Sequence, residues 1–485
     1  MRFSSGTPLS QIDAELSAVG AIRSADLGAG WYGASWTDGA PVASKLPLLK
    51  ALQAVTYVEP SKAYRPFRVP NDPLFNSQYA LAQVDAPGGW EFEVGYSTTV
   101  TIAVIDAGID GSQPDLTGKM GGLSHQFCDP GPNKLIAGDD VACAPAAATP
   151  ACNHATHVAG VAAASTDNGV GVAGMSWGAQ LLSLKVFRDV DCPTIDCSDA
   201  SCQTDDWAIA NAINFAVSKQ NIAPYGHIVI NMSLGSQSSC SGTIQGAVNN
   251  AIGANIPEIA AAGNSGGTGS PGVNSPGNCA GVVPMGATDN TNQIAYFSSN
   301  GPEMASNGLV APGVALLTTD VGGNTASATG TSFASPMGAG LAALLVSKNP
   351  FLTPTQVQTL MRGGAQSIGQ PSTVQGAGQM NVFRSLRLAT KGTLAGFDGD
   401  QKPIAFPNPF RLSQGTSVNI TIPTSLQGSG TDIKIYTMGG QFVREVNTPL
   451  WDGKNADGHL VASGSYMFVV KTSAGSANGR LAVIR

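Results

Sequence analysis

Short apolar runs alternate with helical segments between Leu74 and Leu388, and this alternation restricts the fold more than any other feature of the chain. The apolar runs predict strands at Val100–Ile105, Leu181–Val186, His227–Asn231, Ile256–Ala262 and Val282–Gly286. The intervening segments predict helices at His154–Ala164, Asp206–Lys219, Thr243–Ile252 and Ser335–Ser347. Strands that alternate with helices form a mainly parallel sheet covered by helices. We therefore predict an α/β domain whose functional residues gather at the carboxyl ends of the strands.

The segments on both sides of this domain have different patterns. Residues 1–66 predict a small α+β unit, and the aperiodic Pro/Arg/Asn-rich stretch Tyr64–Pro73 marks its boundary. Its helices and strands are predicted at Leu9–Val19, Lys45–Ala54, Trp31–Trp36 and Val55–Val58. Residues 393–402 form a Gly/Asp-rich linker, so the α/β domain spans residues 67–392. Residues 403–485 predict a β-sandwich with strands at Ser417–Ile422, Asp432–Tyr436, Phe442–Val446, Ser465–Thr472 and Arg480–Ile484.

Composition excludes two classes of protein. Charged residues make up only 12% of the chain, the net charge is -7, and no basic patch stands out, so nucleic acid is not an expected partner. No apolar run reaches the length of about 18 residues that a transmembrane helix needs. The first residues, Met1–Gly6, lack the apolar core of a signal peptide.

The chain has eight cysteines, all in its middle part: Cys128, Cys143, Cys152, Cys192, Cys197, Cys202, Cys240 and Cys279. Zinc would be indicated by two CxxC motifs, or by one such motif with histidines, and no CxxC motif occurs. Disulfides formed in an oxidising compartment fit better. We therefore expect a secreted protein, from which a leader preceding Met1 has been removed.

Four residues with catalytic chemistry stand at predicted strand ends or helix starts. Asp106 and Asn264 follow strands, and His154 and Ser332 open helices. A serine needs an imidazole to take its proton, an aspartate can orient that imidazole, and a carboxamide can stabilise an oxyanion. Taken singly, each residue also has a structural explanation: Ser332 is a favoured helix N-cap, and the segment before Asn264 can be a simple turn. Together, in this order, they predict nucleophilic catalysis.

Six motifs, four of which contain these residues, resemble signatures of the subtilisin-type serine proteases, the subtilases, and in particular their thermitase-like branch. The motifs are Val-Ile-Asp106-Ala-Gly-Ile-Asp, His154-Ala-Thr-His-Val-Ala-Gly, Asn231-Met-Ser-Leu-Gly-Ser, Ala-Ala-Gly-Asn264, Val310-Ala-Pro-Gly and Gly-Thr-Ser332-Phe-Ala-Ser-Pro. The resemblance covers about residues 68–388. It implies a three-layer fold and serine endopeptidase activity on proteins or peptides. It also implies a triad of Asp106, His154 and Ser332, with Asn264 in the oxyanion hole and His157 as a structural histidine.

The resemblance extends to substrate binding. Two segments resemble those that pair with an extended peptide as added strands, and the residues concerned are Ser233, Leu234, Gly235, Ala262 and Gly263. Plain strand packing is the alternative for these small residues. A weaker resemblance places Asn274 and Pro276 at the floor of an open, apolar pocket, which indicates a broad endopeptidase.

A structural calcium site is also implied. Side chains and backbone carbonyls resemble the ligands of the family's strong site, and the residues concerned are Asp72, Asp115, Thr166, Asn168, Val170 and Val172. Oxygen ligands of both kinds suit Ca²⁺. The alternative is that these are turn residues, because Asp-Asn-Gly is a strong turn signal.

The sequence departs from the family pattern at several places. Ala155 stands where the family has glycine after the histidine, which favours an alternative function: a catalytically weak subtilase that acts as a surface-tethered binding protein. Glu258 and Pro284 interrupt apolar strands, so we expect these strands near a sheet edge or shifted by a residue. The Cys128–Cys152 segment is predicted to be a disulfide-tied loop, and Asp189–Asp205 is a second insertion. Cys240 and Cys279 are a further candidate pair.

The flanking units resemble known accessory modules. Val55–Pro60 resembles the last strand of a subtilase propeptide, which implies an inhibitory and folding-assisting unit at 1–66 and autocleavage within Tyr64–Pro70. Residues 403–485 resemble the Ig-like C-terminal module of flagellar hook-capping and secretion-sorting proteins. We expect a monomeric zymogen that is secreted, with cell-surface attachment through this module as an option.

Overall fold

The computed structural model describes residues 1–36, 38, 42–59, 68–120, 125–126, 150–189, 191–268, 272–394, 403–406, 408–413, 417–422, 430–473 and 475–485. The chain divides into two compact units, Met1–Pro66 and Phe67–Arg485. In the part of the chain with described structure, no helix is both long and apolar enough to cross a membrane.

The first unit is a four-stranded sheet with two helices. Its elements are β1 (Arg2–Phe3), α1 (Leu9–Ala18), β2 (Ile22–Gly28), β3 (Trp31–Ser35), α2 (Val42–Lys50) and β4 (Val55–Tyr57). The strands are ordered β2-β3-β1-β4. Phe3, Ile12, Leu16 and Leu49 form its core, so the unit has a hydrophobic interior of its own. The periodicity predicted both helices, β3 and β4, but not β1 and β2.

A seven-stranded sheet forms the centre of the second unit, and every neighbouring pair of strands in it is parallel. Its strands are β5 (Val100–Asp106), β6 (His125–Gln126), β7 (Gln180–Lys185), β8 (His227–Met232), β9 (Glu258–Ala261), β10 (Val283–Thr288) and β11 (Leu309–Pro312), in the order β11-β10-β9-β8-β5-β7-β6. An antiparallel hairpin, β12 (Leu316–Thr319) and β13 (Thr325–Ala328), follows. All five predicted strands are present, and the α/β prediction is confirmed.

Helices cover both faces of this sheet. They are α3 (Tyr79–Gln83), α4 (Ala86–Gly89), α5 (His154–Ala163), α6 (Asp206–Lys219), α7 (Gly242–Gly253), α8 (Pro302–Asn307), α9 (Thr331–Lys348), α10 (Pro354–Gly364), α11 (Ser372–Gln375) and α12 (Val382–Lys391). Alternate residues of β5 enter two cores: Ile102 and Val104 pack towards α5 and α9, whereas Ala103 and Ile105 pack towards α6 and α7. Both faces of β5 are therefore buried, which explains why all but two of its residues, Thr101 and Asp106, are apolar.

Of the two alternatives given for Glu258 and Pro284, the sheet edge is wrong, because β9 and β10 are both interior strands. The other alternative, a shift by a residue, fits β10, which begins at Val283 and was predicted to begin at Val282. Ala262 N–H donates to the carbonyl of Met285, so the backbone of Met285 faces β9 and that of Pro284 faces β11. The pairing with β11 begins only at Met285. An N–H at position 284 would point beyond the first residue of β11. The proline therefore removes no backbone hydrogen bond from the sheet.

Three disulfides join described cysteines: Cys152–Cys197, Cys192–Cys202 and Cys240–Cys279. The last pair agrees with the predicted candidate. Cys152 pairs with Cys197 of the second insertion. Our expectation that Cys152 closes a disulfide-tied loop within the Cys128–Cys152 segment is therefore wrong. Asn153 N–H also donates to the carbonyl of Ile195, at 2.8 Å. The second insertion is thus fastened beside the start of α5, while Cys128 and Cys143 lie outside the described residues.

The C-terminal part folds into two sheets around one core. Its strands are β14 (Ile404–Phe406), β15 (Phe410–Arg411), β16 (Val418–Thr421), β17 (Asp432–Thr437), β18 (Phe442–Val446), β19 (Leu450–Trp451), β20 (Gly464–Thr472) and β21 (Gly475–Ile484). They form sheets ordered β14-β16-β19 and β15-β21-β20-β17-β18. Residues of both sheets, including Ile420, Trp451 and Phe468, share the core. This β-rich arrangement agrees with the predicted sandwich.

Candidate active site

Asp106 and His154 meet at the carboxyl end of the sheet. Asp106 is the last residue of β5, and His154 is the first residue of α5. His154 Nδ1 lies 2.9 Å from Asp106 Oδ1 and 3.0 Å from Oδ2. A carboxylate can only accept, so Nδ1 carries the hydrogen and Nε2 is left as the free base. The Asp106 side chain is 3% exposed and that of His154 25%, so the imidazole remains accessible.

The environment of His154 favours its protonated form. Burial alone lowers its pKa, but the charge of Asp106 and the hydrogen bond to it act in the opposite direction and outweigh burial, so the pKa is raised. Ala107 N–H donates to Asp106 Oδ1 at 2.7 Å and holds the carboxylate in place. The pair is therefore arranged to accept and stabilise a proton on the imidazole.

Ser332 lies in the first turn of α9 and is not its N-cap. The cap is Gly330, and no side chain caps this helix end. The Ser332 hydroxyl donates to the carbonyl of Ser233, at 3.2 Å. The structure has no hydrogen bond between Ser332 and His154, both of which are described residues. The capping explanation of Ser332 is therefore wrong, and its hydroxyl points away from the helix backbone.

Polar side chains fix the backbone around Ser332. Pro336 has no N–H, so the carbonyl of Ser332 lacks its helical partner and accepts from the Ser233 hydroxyl at 2.7 Å. Asn231 donates to the same Ser233 hydroxyl at 3.0 Å, and Ser335 donates to Asn231 Oδ1 at 2.8 Å. This chain of bonds joins α9 to the end of β8.

Asn264 is held in a defined orientation beside Ser332. Its Oδ1 accepts from the Thr331 N–H at 2.9 Å and from the Thr331 hydroxyl at 2.8 Å. Because Oδ1 has two donors, Nδ2 is assigned to the opposite side, where it lies near Gly330. The structure thus brings the amide N–H of Asn264 to the start of α9, next to Ser332.

The two predicted substrate segments differ in the structure. Leu234 and Gly235 have no backbone hydrogen bond to any described residue, so their groups are free for an added strand. By contrast, Ala262 donates to Met285 and accepts from Asn274, and Gly263 donates to Thr331 and accepts from Ser299. The expectation that Ala262 and Gly263 pair with a peptide is therefore corrected, because their backbone groups are already used within the fold. They form a wall beside Asn264.

The residues of the predicted calcium site come together. Asp115 accepts from Val172 N–H at 2.7 Å and from Asn168 Nδ2 at 3.1 Å, and Asp72 Oδ2 accepts from Asp167 N–H at 2.8 Å. Asp72 Oδ1 is buried without a partner. The pKa of Asp115 is raised to about 6, mainly by burial and also by the charge of Asp72, although the hydrogen bonds from Val172 and Asn168 act in the opposite direction.

These features fit a bound divalent cation. Two buried carboxylates repel one another, and an orphaned oxygen costs free energy unless a cation or another donor compensates it. A Cβ on Gly171 would lie 2.3 Å from Asp115 Oδ2, so only glycine leaves room for the carboxylate here. The carbonyl of Gly171 accepts from Leu74 N–H, so the carbonyls of Val170 and Val172 on either side of it are the ones left to the site. The Thr166 hydroxyl donates to the carbonyl of Ala164 and accepts from the Gly174 N–H. The backbone carbonyl of Thr166 is therefore the group that remains as the predicted ligand.

Ala155 and His157 have structural surroundings. Ala155 is fully buried in the main core, so its methyl group is packed, and the neighbouring His154–Asp106 contact is intact. His157 Nε2 donates to Asp320 Oδ1 at 3.0 Å. Burial lowers the pKa of His157, and Asp320 only partly offsets this. The departure at Ala155 therefore does not disturb the described geometry around the imidazole.

Sequence reasoning missed several residues that hold the site together, namely Thr331, Asn231, Ser335 and Asp320. The first three stand within the quoted motifs, so their position in the motifs was an available signal. Asp320 lies in a turn with no recognisable pattern. Its contact with His157 joins residues 163 positions apart, and only the folded chain shows it.

The model of the subtilase family matches residues 97–379, which contain all four candidate catalytic residues. The chain belongs to the subtilase family. It is accordingly a serine endopeptidase of the subtilisin type.

Individual relatives agree with this assignment. An extracellular protease of Xanthomonas campestris pv. campestris is 32% identical over 426 residues, covering 81% of this chain and 70% of that protein. Thermitase of Thermoactinomyces vulgaris is 31% identical over 320 residues, which cover 66% of this chain and 99% of thermitase. Among solved structures, one described as proteases from Pseudoalteromonas arctica has a TM-score of 0.54 and 26% identity, over 66% of this chain and 99% of that one. The subtilisin fold is confirmed by this similarity.

Proposed function

We propose that this subtilase hydrolyses peptide bonds with Ser332 as nucleophile, His154 as general base and Asp106 as the residue that orients the base. The single observation that carries the proposal is the contact of His154 Nδ1 with both oxygens of Asp106, at 2.9 and 3.0 Å. It leaves Nε2 free to take the serine proton. The Ser332 hydroxyl turns from the carbonyl of Ser233 towards this nitrogen when substrate binds.

The chemistry then follows in two halves. Ser332 Oγ bonds to the substrate carbonyl carbon while its proton moves to His154, and the carbonyl oxygen becomes an oxyanion. Asn264 Nδ2 and the Ser332 N–H, at the start of α9, donate to this oxyanion. His154 returns the proton to the leaving amine as the C–N bond breaks. Water then hydrolyses the acyl-enzyme by the same route.

Hydrolysis of a peptide amide by wild type and Ser332→Ala tests this proposal. We expect kcat to fall by at least about 10³-fold in Ser332→Ala. Ser218→Ala, on the exposed surface of α6, is the matched control and should match wild type. Equal rates in Ser332→Ala and wild type would overturn the assignment, and the absence of turnover in wild type would favour the alternative of a weak, tethered binding protein.

The same proposal includes a structural calcium ion. Asp72, Asp115 and Asn168, with the carbonyls of Thr166, Val170 and Val172, would hold it. The orphaned Asp72 Oδ1 and the raised pKa of Asp115 support this. The ion would neutralise two carboxylates and brace the 166–172 loop against the start of the domain.

We further propose that the chain is a secreted, monomeric zymogen. Residues 1–66 form a unit with its own core, which supports a separable inhibitory and folding-assisting propeptide cut within Tyr64–Pro70; residues 64–67 lie outside the described structure. The three disulfides and a relative named as an extracellular protease support secretion. The two-sheet C-terminal part at 403–485 is proposed to be an Ig-like module for export or surface attachment.

A further inference from the structure

Two disulfides of the second insertion meet next to the imidazole of His154. Cys152–Cys197 ties the residue two positions before His154 to the insertion, and Cys192–Cys202 closes a loop within the insertion. The Sγ atoms of Cys152, Cys192 and Cys202 lie within 4.8 Å of one another, so the two bridges are in contact. We call these four cysteines the sulfur cluster. It lies at the point where the insertion meets the start of α5.

The sulfur cluster forms a small hydrophobic core of its own. Cys152 and Cys192 are each 1% exposed, and both pack with Ala107, which is 4% exposed. The N–H of Ala107 donates to Asp106 Oδ1, at 2.7 Å. The core that the disulfides fill therefore supports the backbone group that holds the carboxylate of Asp106.

The residues just before His154 make further contacts with the insertion. Ala151 N–H donates to Asp189 Oδ1 at 2.9 Å, and Asn153 N–H donates to the carbonyl of Ile195 at 2.8 Å. The helix that begins at His154 has no side-chain cap. The placement of the imidazole, on the first residue of this helix, therefore depends on the shape of the insertion.

Few bonds other than the disulfides determine the shape of the insertion. Its described residues contain no helix or strand. The backbone hydrogen bonds within it are short turns, such as those from Cys197 N–H to Thr194 and from Cys202 N–H to Asp199. Segments held by turns open at a lower free-energy cost than core helices and strands do. Breaking the sulfur cluster should therefore loosen the insertion while the central sheet and its helices remain packed.

A thiol can open the sulfur cluster from its exposed side. Cys197 and Cys202 are partly exposed, whereas their partners are buried. A thiolate that bonds to Cys197 Sγ displaces Cys152 as a thiolate. The second thiol of a dithiol then displaces Cys197, so the reductant becomes a disulfide and two electrons pass to the protein. The Cys152 thiolate is released within 4.8 Å of Cys192 and Cys202, where it can exchange with the second bridge without further reductant.

We propose that the sulfur cluster is a redox-sensitive positioning device for His154, on which a dithiol reductant acts. With both bridges formed, the insertion holds the imidazole against Asp106. With the bridges reduced, the start of α5 is released, the contact of His154 with Asp106 is lost part of the time, and kcat falls while substrate binding is retained. The inference rests on the proposed function and adds regulation to it, because full activity is then restricted to an oxidising compartment.

Steady-state kinetics of wild type on one peptide amide, with and without dithiothreitol, test this inference. We expect reduction to lower kcat by about 10- to 100-fold with less than about a twofold change in KM, because a misplacement near 1 Å has an effect of this size. Re-oxidation should restore kcat. Proton NMR reports the position directly, since the Nδ1 hydrogen of His154 gives a downfield signal while it is bonded to Asp106. This signal should disappear on reduction and return on re-oxidation.

Serine variants assign the effect to the sulfur cluster. Cys152→Ser combined with Cys197→Ser should have a lowered kcat before any dithiothreitol is added. Cys240→Ser combined with Cys279→Ser is the matched control, because that bridge joins other parts of the chain. This control should keep the response of wild type to dithiothreitol.

The outcomes separate this inference from the proposed function. Wild type may be reduced until alkylation and peptide mapping show that the Cys152–Cys197 bridge is open, and an unchanged kcat in that protein would overturn the inference while leaving the endopeptidase intact. Loss of the far-UV circular dichroism on reduction would also overturn it, because the bridges would then hold the whole fold. If oxidised wild type neither cleaves a peptide nor reacts with a fluorophosphonate, the proposed function itself fails.

Discussion

At the scale of single residues, Asn264 offers a direct test of the oxyanion hole. Asn264→Ala removes the Nδ2 donor and also the acceptor that holds Thr331. We expect kcat to fall by about 10²- to 10³-fold with little change in KM, which is the loss already established for this donor in subtilisins. Steady-state kinetics on one peptide amide measure it, with Thr331→Val as the control that keeps Nδ2 and removes only one of the two donors to Oδ1. A proportional rise in KM at constant kcat would contradict the role.

Glu258 makes a residue-scale prediction about pH. It is 2% exposed, and both carboxylate oxygens lack a partner. Burial raises its pKa well above the usual range. The folded state therefore holds this proton to higher pH than the unfolded state does. Its contribution to stability is complete below the unfolded pKa and is lost as pH rises through the folded pKa.

Glu258→Gln should remove this pH dependence. In a Ser332→Ala background, which prevents self-digestion, we expect the free energy of unfolding of the variant relative to wild type to increase from pH 4 to pH 8. Each unit of pKa shift corresponds to about 1.4 kcal/mol. Urea titrations at several pH values measure this free energy of unfolding. Glu258→Leu should lack the same pH dependence. Parallel pH profiles for all three proteins would show that Glu258 does not titrate abnormally.

At the scale of elements, the loop at 166–172 is predicted to depend on calcium. EDTA should lower the Tm, and added Ca²⁺ should restore it, because a ligand at 100 times its Kd stabilises the fold by about 2.7 kcal/mol. Asp115→Asn should reduce the response to EDTA, whereas Asp196→Asn, in the second insertion, should keep it. Thermal melts of inactivated protein measure this. A Tm that EDTA leaves unchanged in wild type would eliminate the site.

The sequence predicted the positions of the helices and strands better than it predicted their tertiary contacts. The buried strand Val100–Asp106 is readable because both of its faces are apolar. Pro284 was misread as an edge signal, because its tolerance in an interior strand depends on where β11 begins. The Cys152–Cys197 bond joins two insertions, and spacing alone does not determine such a pairing. Ser332 was predicted to open a helix, and α9 begins one residue earlier, at Thr331.

The candidate site was predictable as a set of residue types and less so as a network. Asp106, His154, Asn264 and Ser332 stand in motifs, so the sequence identifies them. The bonds that orient them come from the tertiary contacts of Thr331, Asn231 and Ser335. The pairing of Ala262 and Gly263 with a peptide strand was wrongly predicted, since only the fold shows that their backbone groups are already bonded.

At the scale of the whole molecule, the N-terminal unit is predicted to be released by the protein's own activity. Ser332→Ala, expressed in a host lacking other proteases, should keep residues 1–66 attached, whereas wild type should begin within Tyr64–Pro70. Intact mass and N-terminal sequencing of the secreted protein measure it. Cleavage of Ser332→Ala at the same position would assign processing to another enzyme.

The central claim is that Ser332 is the nucleophile activated by His154 and Asp106. The most direct measurement is mass spectrometry of the mature protein after reaction with a fluorophosphonate, which forms a covalent bond with an activated serine. We predict a single adduct on Ser332 in wild type, and labelling slowed by orders of magnitude in His154→Ala. An adduct on another serine, or equal labelling of Ser332→Ala and wild type, would contradict the account.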